Sequence, residues 1–175
     1  MLKHTLFSGL LLSGALVCAS PAQAVDGLTL EAGRTGESSN SFRLAVQWDF
    51  GKTLWQSDAG AVKLKGFWDA GIVHWAGKSA TNLGLSPVFR LEFADQGGWT
   101  PYLEGAIGVA LFNRTNLDRR TDLGSKFQFE DRVGLGVRFA GQHELGLRWY
   151  HYSNAGLKQP NNGIETTTLQ YTRYF

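Results

Sequence analysis

The sequence predicts an all-β fold, an eight-stranded antiparallel up-and-down transmembrane β-barrel. Three observations carry that expectation. Beyond residue 24, apolar residues recur with period two, and no stretch shows the helical period. The 175 residues hold 22 glycines and only 4 prolines beside 6 Trp, 5 Tyr and 11 Phe, a composition of many twisted strands. The faces opposite the apolar ones carry charges of both signs among glycines, which suits a narrow interior filled by paired side chains. With 18% charged residues and a net charge of +2, the chain is no disordered polyelectrolyte and shows no footprint for nucleic acid. Its one cysteine, Cys18, excludes a disulfide framework and a Cys-based zinc site. No His, Asp and Glu cluster has metal-ligand spacing, so neither metal nor cofactor is expected.

Residues 1–24 read as a secretory signal peptide. Lys3 supplies the positive start, 6–19 is an apolar run broken only by Ser and Gly, and Ala22-Gln23-Ala24 has the Ala-x-Ala cleavage pattern. The run is shorter than the ~20 residues of a spanning helix. Residues 25–175 then form the barrel, ending in a catalytic hairpin.

The first strand is expected at 26–35, around Leu28 and Leu30. In the second, 41–50, Phe42, Leu44, Val46, Trp48 and Phe50 alternate with Arg43, Ala45, Gln47 and Asp49. In the third, 60–75, Val62, Leu64, Trp68 and Ile72 oppose Lys63, Lys65, Asp69 and Gly71. The fourth, 83–94, sets Leu85, Phe89, Leu91 and Phe93 against Ser86, Arg90, Glu92 and Ala94. The fifth, 99–112, sets Leu103, Ile107, Val109 and Leu111 against Tyr102, Glu104, Gly108 and Ala110. The sixth, 126–140, carries Val133, Leu135, Val137 and Phe139, and Asp131 breaks its apolar alternation as a bulge would. The seventh and eighth are expected at 143–153 and 165–175.

A soluble barrel would be apolar inside; a membrane barrel is apolar outside. The polar faces hold Arg43, Lys63, Lys65, Asp69, Arg90, Glu92, Glu104, Arg138 and Arg148 beside many glycines, charges of both signs among small residues that suit a narrow interior filled by paired side chains. The apolar faces carry Trp48, Phe50, Trp68, Phe89, Phe93, Trp99, Phe139 and Trp149, many of them near strand ends, as an interfacial girdle requires. The last strand, with Leu169, Tyr171 and Phe175, resembles the C-terminal signature of bacterial outer-membrane barrels. An even strand number puts both termini on the periplasmic side, with short turns there and the longer loops 113–125 and 154–164 outside.

The last outer loop carries the chemistry. Leu145, Leu147 and Trp149 define the outward face of strand seven, so His151 and Ser153 continue it; Glu165 shares the outward face of strand eight. A symmetric hairpin would set residue 153 opposite 165, making Glu165 a diagonal neighbour of His151. Serine needs a base to become a nucleophile, histidine is that base near neutral pH, and a carboxylate orients the imidazole. Asn161, Asn154 and the main chain at Gly156 can donate to an oxyanion. His74 and His143 read as solvated rim residues.

His-x-Ser-Asn-x-Gly at 151–156, with Glu165 twelve residues after the serine, in the C-terminal hairpin of an exported barrel, resembles the outer-membrane lipid A 3-O-deacylase family. The motif match covers 150–165 alone. The resemblance implies an esterase that removes the 3-position acyl chain of lipid A, with Ser153 as nucleophile, His151 as base and Glu165 as orienting acid. It also implies oxyanion donors at Asn161 and Gly156, Asn154 as a further motif residue, lipopolysaccharide in the outer leaflet as substrate, and a homodimer. Arg119, Arg120 and Lys158 on the outer side would hold lipid A phosphates, and solvated rim charges are the equal alternative. Two other functions remain open at this stage, a non-enzymatic surface barrel and an acyl hydrolase of glycerophospholipid.

Overall fold

The computed structural model describes residues 24–36 and 38–175, so the expected signal peptide lies, but for Ala24, outside the described residues. The strands are β1 Gly27–Thr35, β2 Asn40–Asp49, β3 Trp55–Gln56, β4 Val62–Trp75, β5 Ala80–Phe93, β6 Trp99–Phe112, β7 Phe127–Phe139, β8 His143–Ser153 and β9 Ile164–Tyr174. Each barrel strand pairs antiparallel with its sequence neighbour, and β1 pairs with β9 to close the ring. Eight strands therefore make the barrel. The ninth, β3, is an addition to expectation: two residues in the β2–β4 connection that pair with Leu64 and Lys63 and prolong the β4 edge. β5 starts three residues before the expected 83, because β4 and β5 are joined by a tight turn with Ser79 in the left-handed region (φ 47°).

The alternation is realised with the apolar side outward. Ile107 is 71% exposed and Leu135 55%, while Arg90 and Arg148 are 1% exposed. Inside, acids and arginines alternate in one chain of contacts. Arg90 joins Glu144 to Glu104 (2.7 Å each), and Arg148 joins Glu104 to Glu31 (2.7 Å each). Arg43 joins Glu31 (3.2 Å) to Asp69, and Arg132 ends the chain 3.5 Å from Asp69. A charge taken out of water costs several kcal/mol unless it is paired, so each link requires its neighbours.

At the end with the longer loops the interior turns apolar, a feature the period-two reading did not resolve. Trp75 stacks on Phe112 (centroids 5.2 Å), and Tyr152 meets both edge-on. Leu117 and Leu123, from the polar 113–126 loop, fold back into the mouth and are buried with them. Asp131 marks no bulge. The β6–β7 register runs unbroken through Ile107↔Asp131 and Gly105↔Val133, and Asp131 simply faces outward, half-buried, opposite His151.

Leu135→Lys should cost about 2–4 kcal/mol of folding free energy, the penalty for a cation near the bilayer midplane. Glu104→Ala should cost about 3–5 kcal/mol by stranding Arg90 and Arg148. Urea titration in lipid vesicles, read by heat-modifiable gel migration, checks both; a Leu135→Lys barrel as stable as the parent would place that face away from lipid.

Candidate active site

The parity of β8 decides which side chains reach the outer wall. Its inward residues are committed: Arg148 to the ion chain, the Tyr150 hydroxyl to Glu31 (2.9 Å), the Tyr152 hydroxyl to Glu130 (3.1 Å). A one-residue slip would turn all of them into lipid, so His151 and Ser153 are forced outward. Both stand half-buried at the loop end of the strand.

Glu165 lies directly across from His151, not on the diagonal that a symmetric hairpin gives. The Leu147↔Leu169 and Arg148↔Thr168 pairs set this register, matching apolar to apolar outside and polar to polar inside. His151 Nδ1 is 3.5 Å from Glu165 Oε1, a contact longer than a well-formed hydrogen bond. The imidazole stacks on Trp149 (centroids 6.0 Å, 18°). On its other side sits Gly163, with φ +68°, where a Cβ would stand 3.3 Å from the ring and 3.0 Å from the Tyr152 carbonyl oxygen. With Nδ1 turned to Glu165, Nε2 remains for proton transfer. Among the described residues Ser153 Oγ makes no hydrogen bond. It is two residues from His151 on the same face, ~7 Å along the strand, and such bonds commonly tighten only with substrate.

The loop between β8 and β9 is cross-braced. Asn161 Oδ1 accepts the Asn154 backbone N–H (3.0 Å), which leaves the Asn161 amide Nδ2 as the free donor. The Gly156 N–H is likewise without a partner among the described residues. Asn154 takes a different part from an oxyanion donor. Fully buried, its Nδ2 donates to the Leu123 and Lys158 carbonyls (2.8 Å each) and its Oδ1 accepts the Lys158 N–H (3.3 Å), so it is a strut.

A second brace escaped the sequence reading. The Asp122 N–H donates to Asn162 Oδ1 (3.1 Å), and the Asn162 N–H donates to the Asp122 carbonyl (3.2 Å). Gly124, at φ +69°, allows the two loops to touch, since a Cβ there would be 2.0 Å from the Pro160 oxygen. The same loop is pinned farther along by Lys78 on Asp118, whose hydrogen bond holds that carboxyl down at about 2. This link is present above the ordinary carboxylate range and is lost only as pH falls through about 2.

A cavity of about 320 Å³ opens beside the His151–Glu165 pair, bounded by Thr35, Arg120, Thr121 and Asn162. Arg120 also borders a second cavity of about 670 Å³ with Arg119, Ser38, Ser39 and Lys78. Lys158, the third cation expected at a phosphate, lines neither.

Comparison with known proteins places this geometry. A family model described as lipid A 3-O-deacylase (PagL) matches residues 40–173. The chain belongs to the lipid A 3-O-deacylase family. The lipid A deacylase PagL of Pseudomonas aeruginosa is 44% identical over 154 residues, covering 86% of each chain. The enzyme of that name from Bordetella bronchiseptica is 44% identical over 75 residues, 42% of this chain and 41% of that one. The crystal structure of the outer membrane enzyme PagL superposes with a TM-score of 0.79 at 42% identity, covering 85% of this chain and 99% of that chain. A de novo designed transmembrane β-barrel shares the fold alone (TM-score 0.50, 10% identity, 86% of this chain and 95% of that one). Fold, family and outer-membrane location thus agree with the reading of the sequence, and the non-enzymatic barrel and the glycerophospholipid hydrolase are set aside.

Gly163→Ala should lower turnover on the order of tenfold by pushing the imidazole off its line while the barrel stays folded. Acyl release by the purified variant, alongside its gel migration, measures this; unchanged turnover would show that Gly163 does not position His151.

Proposed function

We propose that this enzyme hydrolyses the 3-position acyl ester of lipid A through Ser153, His151 and Glu165. The observation that supports the assignment is the outward His151–Glu165 contact, 3.5 Å, two residues from a serine whose Oγ has no hydrogen bond among the described residues. Ser153 Oγ attacks the ester carbonyl as its proton passes to His151 Nε2, and Glu165 stabilises the imidazolium at Nδ1. Negative charge gathers on the carbonyl oxygen, where Asn161 Nδ2 and the Gly156 N–H donate. The tetrahedral species collapses, the sugar 3-oxygen leaves with the proton from His151, and the acyl group stays on Ser153. Water then attacks the acyl-enzyme with His151 as base, releasing the fatty acid and restoring the serine.

Location favours the same substrate. Lipid A occupies the outer leaflet, and the site stands at the loop end of the wall, at headgroup depth. Below it, a depression of about 510 Å³ framed by Phe89, Gly105, Ile107, Val133 and Trp149 offers an apolar bed for the chain being cut. Leu147 and Leu169 continue this apolar wall beside it. Every group in the reaction comes from one chain, so the homodimer that the resemblance implied is not needed to complete the site.

Lipid A extracted from cells with and without the expressed gene, compared by mass spectrometry, tests the reaction. The enzyme should remove one primary hydroxyacyl chain, and Ser153→Ala should abolish this with the folded barrel intact. Glu165→Ala should slow release about 100- to 10,000-fold. Near-normal release by the Glu165 variant would take that residue out of the triad.

A further inference from the structure

The arginines of the 113–126 loop are held in place and left unpaired. Leu117 and Leu123 are buried in the mouth, and Asp118 Oδ1 accepts the backbone N–H groups of Arg120 (2.7 Å) and Thr121 (2.9 Å). These bonds fix the backbone at Arg119 and Arg120. Yet among the described residues neither guanidinium has a partner, and both side chains are exposed. A planar fork of donors on a fixed backbone is suited to a phosphate, which it binds bidentately.

Arg120 stands between the two cavities. The first holds His151 and Glu165; the second holds Arg119, Ser38 and Ser39. The Glu165 carboxylate disfavours a second anion in the first cavity, whereas among the described residues the one acid lining the second, Asp118, is already engaged by Lys78. An anionic group therefore belongs in the second cavity, one side chain's width from the reacting ester.

We propose that the second cavity seats the phosphate monoester of the sugar whose 3-ester is cut, held by Arg119 and Arg120, and that this contact selects the ester offered to Ser153. The inference rests on the deacylase reading above. An apolar wall discriminates poorly between similar acyl chains, since one methylene is worth only a small factor. Headgroup charge is the stronger mark. A phosphate on C1 is two ring carbons from the 3-oxygen of the same glucosamine, which suits adjacent cavities bridged by Arg120. A sugar placed the other way round would leave both arginines facing uncharged oxygens.

The test compares kcat/KM for release of the 3-acyl chain from bisphosphorylated lipid A and from lipid A lacking the C1 phosphate, in mixed detergent micelles. The unaltered enzyme should favour the bisphosphorylated substrate about ten- to a hundred-fold, the range of a charge-assisted pair. Arg120→Gln should lose that factor on the bisphosphorylated substrate and lose nothing further on the other. Lys52→Gln, which removes a charge at the opposite rim, should leave the preference intact. An equal fall on both substrates, no fall on either, or no preference in the unaltered enzyme would overturn the proposal while leaving the deacylase reading standing. Failure of the unaltered enzyme to release acyl chains from either substrate would overturn both.

Discussion

The alternating chain of arginines and carboxylates from Glu144 to Arg132 is the constraint on which the rest depends. Each of its charges is buried, and each is tolerable only because its neighbours in the chain are in place. Glu31 shows the coupling most clearly: it takes Arg43, Arg148, the Tyr150 hydroxyl and the Thr168 hydroxyl (2.6 Å), from three other strands. Strand register is thereby set from inside. Since side chains alternate, whatever fixes Arg148 and Tyr150 inward also fixes Trp149, His151 and Ser153 outward. His151 and Ser153, the residues proposed to react, thus sit on the lipid-facing wall as a consequence of how the interior neutralises itself.

The loop end solves a different problem. A charged interior open to water would leave the end of β8 without support, and the loop proposed to hold the oxyanion donors follows directly from it. Trp75, Phe112 and Tyr152 close the mouth, and Trp75 Nε1 donates to Thr166 Oγ1 (3.1 Å), so the indole donor is satisfied. The 113–126 loop lays its two leucines on this plug and reaches Asn154 through the Leu123 carbonyl and Asn162 through Asp122. The proposed catalytic geometry then rests on two loops that brace one another.

Most of the fold was legible because barrel strands announce themselves by parity. Arg43, Asp69, Arg90, Glu104 and Arg148 are inward on alternation alone, and the outward placement of His151, Ser153 and Glu165 follows. What alternation could not supply were contacts between loops. Leu117 and Leu123 sit in a polar stretch whose burial depends on a neighbouring loop, so no periodicity marks them. Asn154 looks like any amide in a motif; only its two carbonyl partners reveal a strut. Asp131 read as an irregularity because a lone acid on an apolar face has no local explanation; its place opposite His151 becomes visible only with the β7–β8 register. The same holds for Glu165, whose expected diagonal position assumed a symmetric hairpin that the Leu147↔Leu169 pairing overrules.

The central claim is that the reaction takes place on the barrel's outer wall at headgroup depth, without the ester leaving the membrane. The most direct measurement is the depth of residue 153. Ser153→Cys, placed in residues 25–175, which hold no other cysteine, can carry an environment-sensitive fluorophore in vesicles whose lipids are brominated at defined carbons. The account predicts strong quenching by lipids brominated near the glycerol, and weaker quenching by mid-chain bromines and by aqueous iodide. Quenching by iodide alone, or by neither, would place the serine in solvent or inside the barrel and contradict it.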